Sequence, residues 1–209
     1  MNARSADAGQ RVVLATANPH KTHELAEVLN RVLPGWQIVP RPADVAEVIE
    51  DADSFLGNAR LKARALVAAT GDSALADDSG LVVDRLGGAP GVHSARFAGP
   101  AATDADNVDK LLRDLEARGA IDEQARRARF VCVIVLAHPD GSEVIAEGSV
   151  EGVIATEPRG SSGFGYDPVF QPLQGTGDTF AQMSPDEKNA MSHRGRALQS
   201  LAESLGRTG

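Results

Sequence analysis

Two adjacent carboxylates, Asp77 and Asp78, are the strongest candidates for chemistry in this sequence. They follow a short apolar run, Ser79 and Gly80 come next, and a second apolar run leaves. Short apolar runs bounded by turn residues are typical of buried strands. The pattern therefore predicts that a strand ends at the two acids, that Ser79 and Gly80 turn the chain, and that both acids lie at the rim of a sheet.

Such a pair of acids suits a divalent metal ion. Neighbouring carboxylates repel each other and lose solvation on burial unless a cation or hydrogen-bond donors stabilise them. Mg²⁺ prefers a few carboxylates together with water and phosphate oxygens, and ligands of open α/β sheets bind outside the strand ends. The alternative is an Asp-Ser-Gly surface turn without chemistry.

A candidate phosphate site lies where the first predicted strand, residues 11–16, meets the first predicted helix. Backbone N–H groups and the helix dipole attract anions at such a point, and the Lys21 ammonium group is suited to phosphate. The loop consists of Thr16, Ala17, Asn18, Pro19, His20 and Lys21. It lacks the glycines of a Walker A loop, and an ordinary Asn-Pro helix entry explains the same residues.

A glycine-rich stretch at residues 157–170 offers a second kind of site, in a chain with only 4% aromatic residues. Glycines allow close approach of backbone to a ligand, and an exposed aromatic ring gives a nucleobase a face to stack on. The alternative is that both aromatic rings pack into the core. The candidate residues are Phe164, Gly165, Tyr166 and Asp167.

Three donors follow this stretch: Lys188, His193 and Arg194. Ser184, with Glu187 three residues later, has the form of a capping box, which predicts a helical turn at Lys188. Clustered on neighbouring helical turns, the three side chains could donate to one ligand. The alternative is that they are solvated surface charges.

The remaining periodicity predicts an α/β protein. Helices are expected at residues 54–67, from a cap at Thr103, and through residues 197–205. Strands at residues 129–137 and 143–151 flank a Pro-Asp-Gly turn, which is a hairpin signal. An antiparallel hairpin beside a parallel strand-helix unit makes the predicted sheet mixed.

Composition and charge restrict the class of protein. The chain has 209 residues and a formal net charge of −8, which argues against a nucleic-acid partner. No apolar run is long enough to span a membrane. The single cysteine, Cys132, lies in an apolar run, which predicts a buried hydrophobic residue and fits a reducing, cytoplasmic setting. Residues 1–10 are predicted to be a disordered extension, and residues 11–209 a single domain with two lobes.

Five short motifs occur in one order: TANPHK at 16–21, ADDSG at 76–80, GGAPG with SAR at 87–96, GFGYDP at 163–168 and SHR at 192–194. The ordered set closely resembles the inosine triphosphate pyrophosphatase family, over nearly the whole chain. The resemblance implies an elongated mixed β-sheet with flanking helices, two lobes with a central cleft, and a homodimer. It also implies Mg²⁺-dependent hydrolysis of ITP, dITP or XTP to the monophosphate and pyrophosphate.

The resemblance also implies roles for single residues. Asp78 matches the catalytic acid and, with Glu50, the Mg²⁺ ligands, while Ser79 matches a substrate contact. Whether Asp77 or Asp78 deprotonates the attacking water stays open. Residues 16–21 match the triphosphate loop. The base pocket matches Phe164, Gly165, Tyr166, Asp167, Lys188, His193 and Arg194.

One position departs from the family pattern. Gly57 stands where the family often has a glutamate, so a carboxylate close to the metal ligands is missing. Glycine at this point of a helix also costs about 1 kcal/mol relative to alanine.

Two other functions remain as alternatives. One is a related pyrophosphatase for modified pyrimidine nucleotides, and the other is a nucleotide-binding regulatory module without turnover. The paired acids argue against the second, because binding an anion gains nothing from extra carboxylates without a metal. The lack of a Gly-x-Ser-x-Gly motif argues against a serine hydrolase.

Overall fold

The computed structural model describes residues 11–15, 29 and 35–206. Within this part of the chain, six strands form one mixed sheet in the order β2-β1-β3-β4-β5-β6. The strands are β1 (Arg11–Leu14), β2 (Gln37–Val39), β3 (Ser73–Val83), β4 (Arg127–Ala137), β5 (Glu143–Ile154) and β6 (Phe170–Pro172). β1 pairs in parallel with β2 and β3, whereas β5 and β6 are antiparallel. The predicted α/β class with a mixed sheet is confirmed.

Four α-helices are described: α1 (Phe55–Thr70), α2 (Asp104–Ala117), α3 (Pro185–Met191) and α4 (His193–Gly206). None of the described helices is both long and apolar enough to cross a membrane. The predicted extension at residues 1–10 and the predicted phosphate loop at residues 16–21 lie outside the described residues. The helix predicted to follow that loop also does, apart from Leu29, which is helical and buried.

Local capping explains where the helices begin. The Ser54 side chain accepts from the Gly57 N–H at 3.1 Å and starts α1. Thr103 and Asp106 form a reciprocal capping box at the start of α2, in which each side chain accepts from the other residue's N–H. Because side-chain oxygens satisfy N–H groups that have no partner within the helix, these starts follow from residue types alone. The helices predicted at residues 54–67 and from Thr103 are confirmed.

The hairpin of β4 and β5 is confirmed at its predicted turn. The His138 N–H donates to the Ser142 carbonyl at 3.0 Å, and the Gly141 N–H donates to the His138 carbonyl at 3.0 Å. The Asp140 carboxylate accepts from the Ser142 N–H at 2.9 Å and closes the turn. A connection this short requires the two strands to be antiparallel.

The predicted turn after the two acids is wrong. β3 runs without interruption from Ser73 to Val83, so Asp77 and Asp78 lie within a strand and not at its end. Ser79 and Gly80 do favour turns, but here they continue a strand that lies between β1 and β4. The pairing of β3 with β1 covers Ser73–Leu75, so at Ser79 and Gly80 it is the continuation of β3 beyond that pairing that outweighs the local turn preference, because strand propensity depends strongly on context.

The chain divides into two compact units, one made of Met1–Asp77, Val133–Ala146 and Leu198–Gly209 and the other of Asp78–Cys132 and Glu147–Ala197. In the first unit, Ala59 and Ala63 of α1 pack with Ala76, Val135 and Ala137. In the second, larger side chains form the core, including Leu81, Leu111, Leu115, Phe130, Phe170 and Phe180. Burying each of these larger side chains contributes about 1.5–3 kcal/mol.

Candidate functional site

Asp77 and Asp78 are both buried, at 4% and 7% exposure. The Ser79 N–H donates to Oδ1 of Asp78 at 3.0 Å, which helps to hold that carboxylate. Consecutive side chains of a strand point to opposite faces. Because β3 is uninterrupted, the Asp77 and Asp78 side chains are expected on opposite faces of the sheet.

Arg194 connects β3 to the glycine-rich stretch within the second unit. It is the second residue of α4 and is buried, with 4% exposure. Its Nη2 donates to Oγ of Ser79 at 3.0 Å, and its guanidinium carbon lies 5.5 Å from the centre of the Phe164 ring. The Arg194 side chain thus contacts both Phe164, a candidate base-binding residue, and Ser79, which is next to Asp78.

Phe164 presents an aromatic face surrounded by positive charge. Its side chain is 38% exposed, while the other large aromatics of the glycine-rich stretch and core are buried. Lys188 Nζ lies 4.7 Å from the ring centre, within the range of a cation–π contact. The same Nζ donates to Oδ2 of Asp167 at 2.7 Å.

The glycine-rich loop folds back onto the Asp167 carboxylate. Oδ2 of Asp167 also accepts from the Phe164 N–H at 2.8 Å. Gly163 has a φ of +79°, and a Cβ atom at this position would collide with Oδ2 of Asp167. Glycine is therefore required here for both the backbone conformation and the close approach of the carboxylate.

The Asp167 carboxylate has a raised pKa although it forms an ion pair with Lys188. Burial raises the pKa of the Asp167 carboxyl above its ordinary value, and this outweighs the opposing effects of Lys188, the Phe164 N–H and Arg194. Oδ2 of Asp167 thus forms a buried, hydrogen-bonded contact with Lys188 directly beside the exposed face of Phe164.

Tyr166 and His193 pack into the core of the second unit. The Tyr166 hydroxyl donates to the Ser94 carbonyl at 2.9 Å, and burial raises the pKa of the Tyr166 hydroxyl far above its ordinary value, with a smaller effect of the Asp104 charge. The His193 ring stacks on Phe130 with centres 4.8 Å apart and planes at 10°. Of the two predicted aromatic contacts, Phe164 is half-exposed and Tyr166 is buried.

Two features fix the positions of α3 and α4, which carry Lys188 and Arg194. The Ser184 and Glu187 capping box, predicted from the sequence, starts α3 and so positions Lys188. The start of α4 lies directly on β5, because a Cβ atom on Gly148 would collide with the His193 carbonyl and the Ala197 N–H. Arg194 therefore extends from a helical turn that is held against the sheet.

Two residues near the site were not singled out from the sequence. Asp104, which follows the predicted cap at Thr103, accepts from the Gly165 N–H through Oδ2 at 2.7 Å. Ser94 accepts from the Leu81 N–H at 2.9 Å and thereby ties the segment after the Gly-Gly-Ala-Pro-Gly loop to β3. The Ser-Ala-Arg motif was the available signal for Ser94, while nothing in the sequence indicated the contact of Asp104.

Glu50, the second predicted metal ligand, belongs to the first unit. Its Oε2 lies 3.3 Å from Nζ of Lys62. Among the residues that the structure describes, no three His, Cys, Asp or Glu side chains form a group that could hold a metal. The donor chemistry still fits Mg²⁺, which takes one or two carboxylates and completes its shell with water and phosphate oxygens.

Gly57 has a structural reason in the first unit. A Cβ atom there would lie 2.6 Å from Cβ of Ala52 and 3.0 Å from Oγ of Ser54. The buried Asn58 accepts from the Ala52 N–H at 3.0 Å, so the loop before α1 is held tightly against the first helical turn. The missing side chain at Gly57 makes room for this loop, which contains Glu50.

The structure thus brings together five of the predicted site residues within the second unit: Ser79, Phe164, Asp167, Lys188 and Arg194. We call this group the Arg194 cluster. Asp78 adjoins it through the Ser79 N–H. The predicted triphosphate residues Thr16, Ala17, Asn18, Pro19, His20 and Lys21 lie outside the described part of the chain.

Known proteins resemble this chain in sequence and in structure. It is 50% identical over 197 residues to a dITP/XTP pyrophosphatase of Thermus thermophilus, covering 93% of this chain and 91% of that protein. It is 47% identical over 199 residues to a dITP/XTP pyrophosphatase of Methylococcus capsulatus, covering 94% and 96% of the two chains.

Solved structures agree. A HAM1 protein from Coxiella burnetii superposes with a TM-score of 0.86 at 43% identity, covering 95% of this chain and 99% of the other. A nucleoside-triphosphatase, described as a dITP/XTP pyrophosphatase, from Mycobacterium abscessus superposes with a TM-score of 0.76 at 43% identity, covering 94% and 100%. The family model described as the Ham1 family matches residues 12–204. The chain belongs to the Ham1 family.

Proposed function

We propose that this chain hydrolyses non-standard purine nucleoside triphosphates, namely dITP, XTP and ITP, to the monophosphate and pyrophosphate. The observation that carries the proposal is the position of Arg194, which contacts both Ser79, next to Asp78, and the half-exposed ring of Phe164. A nucleobase stacked on Phe164 would lie beside the strand that carries the candidate catalytic acid. Similarity to proteins named dITP/XTP pyrophosphatases supports this assignment.

Base selectivity follows from the donors around Phe164. Hypoxanthine and xanthine carry an oxygen at position 6, which would accept from Arg194 beside Phe164, whereas adenine carries an amino group there. His193, the other predicted donor, stacks on Phe130 in the core. Two donors facing each other in a buried site stay unpaired, which disfavours adenine. Guanine shares the oxygen but adds a 2-amino donor. Oδ2 of Asp167 already accepts from Lys188 and Phe164, so this oxygen is satisfied without the 2-amino group.

The catalytic carboxylate is Asp78 by its match to the motif, with Asp77 as the alternative. Its role is to hold the attacking water and accept its proton while pyrophosphate leaves. Asp78 and Glu50 are the proposed ligands of Mg²⁺, because carboxylate oxygens are what this ion prefers. When bound, Mg²⁺ offsets the negative charge of the triphosphate, a role shared with Lys21.

A pyrophosphate-release assay over a nucleotide panel tests the proposal. With Mg²⁺, dITP, XTP and ITP should be hydrolysed with kcat/KM at least about 100-fold above dATP and dGTP, a difference of about 2.7 kcal/mol. Chelation of divalent metal should abolish turnover. Preference for a modified pyrimidine triphosphate would favour the first alternative, and binding without pyrophosphate release would favour a regulatory module.

Asp78→Asn tests the catalytic assignment. Loss of a general base costs about 10²–10⁴-fold in rate, so kcat should fall by that factor while KM for dITP stays within a few-fold. Asp84→Asn is the matched control, since Asp84 lies just after β3 and pairs with Arg129 at the surface. Near wild-type turnover by the Asp78 variant would remove Asp78 from the catalytic role.

The family resemblance also supports a homodimer. Light scattering across a concentration series measures the molar mass directly, and a monomer at all concentrations would contradict this part of the proposal.

A further inference from the structure

The backbone around Phe164 is held by two carboxylates from different parts of the second unit. The N–H of Phe164 donates to Oδ2 of Asp167 at 2.8 Å, and the next N–H, of Gly165, donates to Oδ2 of Asp104 at 2.7 Å. Gly163 and Gly165 both have positive φ, at +79° and +60°, so the loop turns sharply on each side of Phe164. The orientation of the exposed ring therefore depends on where these two N–H groups are held.

Asp104 is not needed to cap the helix on which it lies. Thr103 and Asp106 complete the capping box of α2 between themselves. Asp104 is exposed and uses its carboxylate on a residue 61 positions later. A carboxylate in the first turn also interacts favourably with the helix dipole, but that interaction does not require a contact with Gly165.

The end of α2 that carries Asp104 is firmly anchored. Val108, Leu111 and Leu115 are buried in the core of the second unit. Asn107, also buried, accepts from the Ala98 N–H at 2.8 Å and donates to the Ala95 carbonyl at 3.2 Å. The first turn of α2 is thus a fixed point from which a side chain can hold a loop.

We propose that Asp104 is a positioning residue for base recognition, which fixes the aromatic face of Phe164 by holding the Gly165 N–H. This inference rests on the proposed function, in which the base stacks on Phe164. Asp104 touches neither the base nor the phosphates in this proposal. Its removal should weaken binding of the base and leave the chemical step and the binding of phosphate unchanged.

The test compares Asp104→Ala, Asp104→Asn and Asp109→Ala in the full-length protein. Asp109 is exposed on the same helix, so Asp109→Ala controls for loss of a negative charge from α2. Asp104→Ala should raise KM for dITP about tenfold, which corresponds to loss of one charge-assisted hydrogen bond, with kcat within twofold. Asp104→Asn keeps an acceptor oxygen and should stay within about threefold of wild type.

Inorganic triphosphate, which has no base, separates positioning from a general structural effect. Its inhibition constant should be unchanged in Asp104→Ala. If KM for dITP and inhibition by inorganic triphosphate weaken together, or if KM stays within twofold of wild type, the proposal is overturned.

Amide hydrogen exchange of Gly165, measured by NMR, tests the contact independently of catalysis. The exchange should be about tenfold faster in Asp104→Ala than in Asp109→Ala. If the wild-type protein releases no pyrophosphate from any nucleotide, the proposed function fails, but the exchange result still decides whether Asp104 holds the loop. Equal exchange in the two variants would refute the positioning role.

Discussion

Asp167 and Glu143 are both carboxylates held by basic side chains, one in each compact unit. Asp167 receives one hydrogen bond from Lys188 and is almost fully buried, whereas Glu143 is held by Arg60 at 2.9 Å and Arg64 at 2.7 Å. Burial raises the pKa of Asp167. Burial also acts to raise the pKa of Glu143, but there the hydrogen bonds and charges of the two arginines outweigh it, and the pKa is lowered.

The two carboxylates differ in how completely their charge is compensated. Glu143 has two cationic partners, and both arginines remain partly exposed, so its charge costs little to maintain. Asp167 shares its single lysine with the Phe164 ring, and its charge is costly in the buried site. The incompletely compensated pair lies next to the exposed face of Phe164, where the proposed function places the base. Perturbed carboxylates of this kind concentrate at functional sites.

The largest effect should come from Lys188→Met, which removes the lysine but keeps most of its apolar length. Breaking one side of a buried ion pair costs about 3 kcal/mol, and the pKa of Asp167 should rise further. KM for dITP should increase more than tenfold. Denaturant unfolding and steady-state kinetics measure the two changes.

A second substitution makes the Lys188 result specific. Adding Asp167→Asn to Lys188→Met removes the uncompensated charge, so the double variant should recover part of the lost stability. A single variant that unfolds at the wild-type denaturant concentration, with unchanged KM, would show that the pair resembles the surface pair at Glu143.

A similar loss of stability is expected from Gly163→Ala, because the new methyl group must displace Oδ2 of Asp167 and the backbone has positive φ. The left-handed conformation alone costs about 1–2 kcal/mol for a non-glycine residue, and the collision should bring the total to about 3 kcal/mol. Gly141→Ala, in the turn before Glu143, is the matched control, since its φ is +88° and the space around it is open. Equal losses of stability in the two variants would mean that the contact of the new methyl group with Asp167 costs no free energy.

The smallest effect is expected from Glu143→Gln, at about 1 kcal/mol, because partly exposed ion pairs contribute little. Kinetics should be unchanged. Since the folded pKa of Glu143 lies below its ordinary value of 4.5, its stabilisation is present above that pH and is lost as pH falls through the folded pKa. The stability difference between wild type and variant should therefore shrink in acid, and a difference that stays constant down to pH 2 would contradict the assignment.

Asp167 should show the opposite dependence on pH. Its folded pKa is raised, so its contribution favours the folded state at low pH and is lost as pH rises from the ordinary value through the raised one. The contributions of Asp167 and Glu143 to stability thus depend on pH in opposite directions, and they also differ in size.

Features decided by neighbouring residues could be predicted from the sequence. The caps at Ser54, Thr103 and Ser184 depend on side chains within three residues of the N–H groups that they satisfy, and those at Thr103 and Ser184 are as predicted. The hairpin around residues 139–141 is equally local. The Ham1 fold followed from the order of the motifs.

Features decided by distant residues could not be predicted. Ser79 and Arg194 are 115 positions apart, and only the folded sheet and α4 bring them together. The turn predicted at Ser79 and Gly80 was wrong for the same reason, because the flanking strands were not visible in the local pattern. Asp104 had no local signal at all for its contact with Gly165.

The glycine at position 148 has a practical consequence for redesign. Since β5 touches the backbone of α4 there without any intervening side chain, the origin of the Arg194 side chain is set by main-chain contact. Base preference could therefore be altered by exchanging residues around Phe164 one at a time, because the position of α4 should stay unchanged.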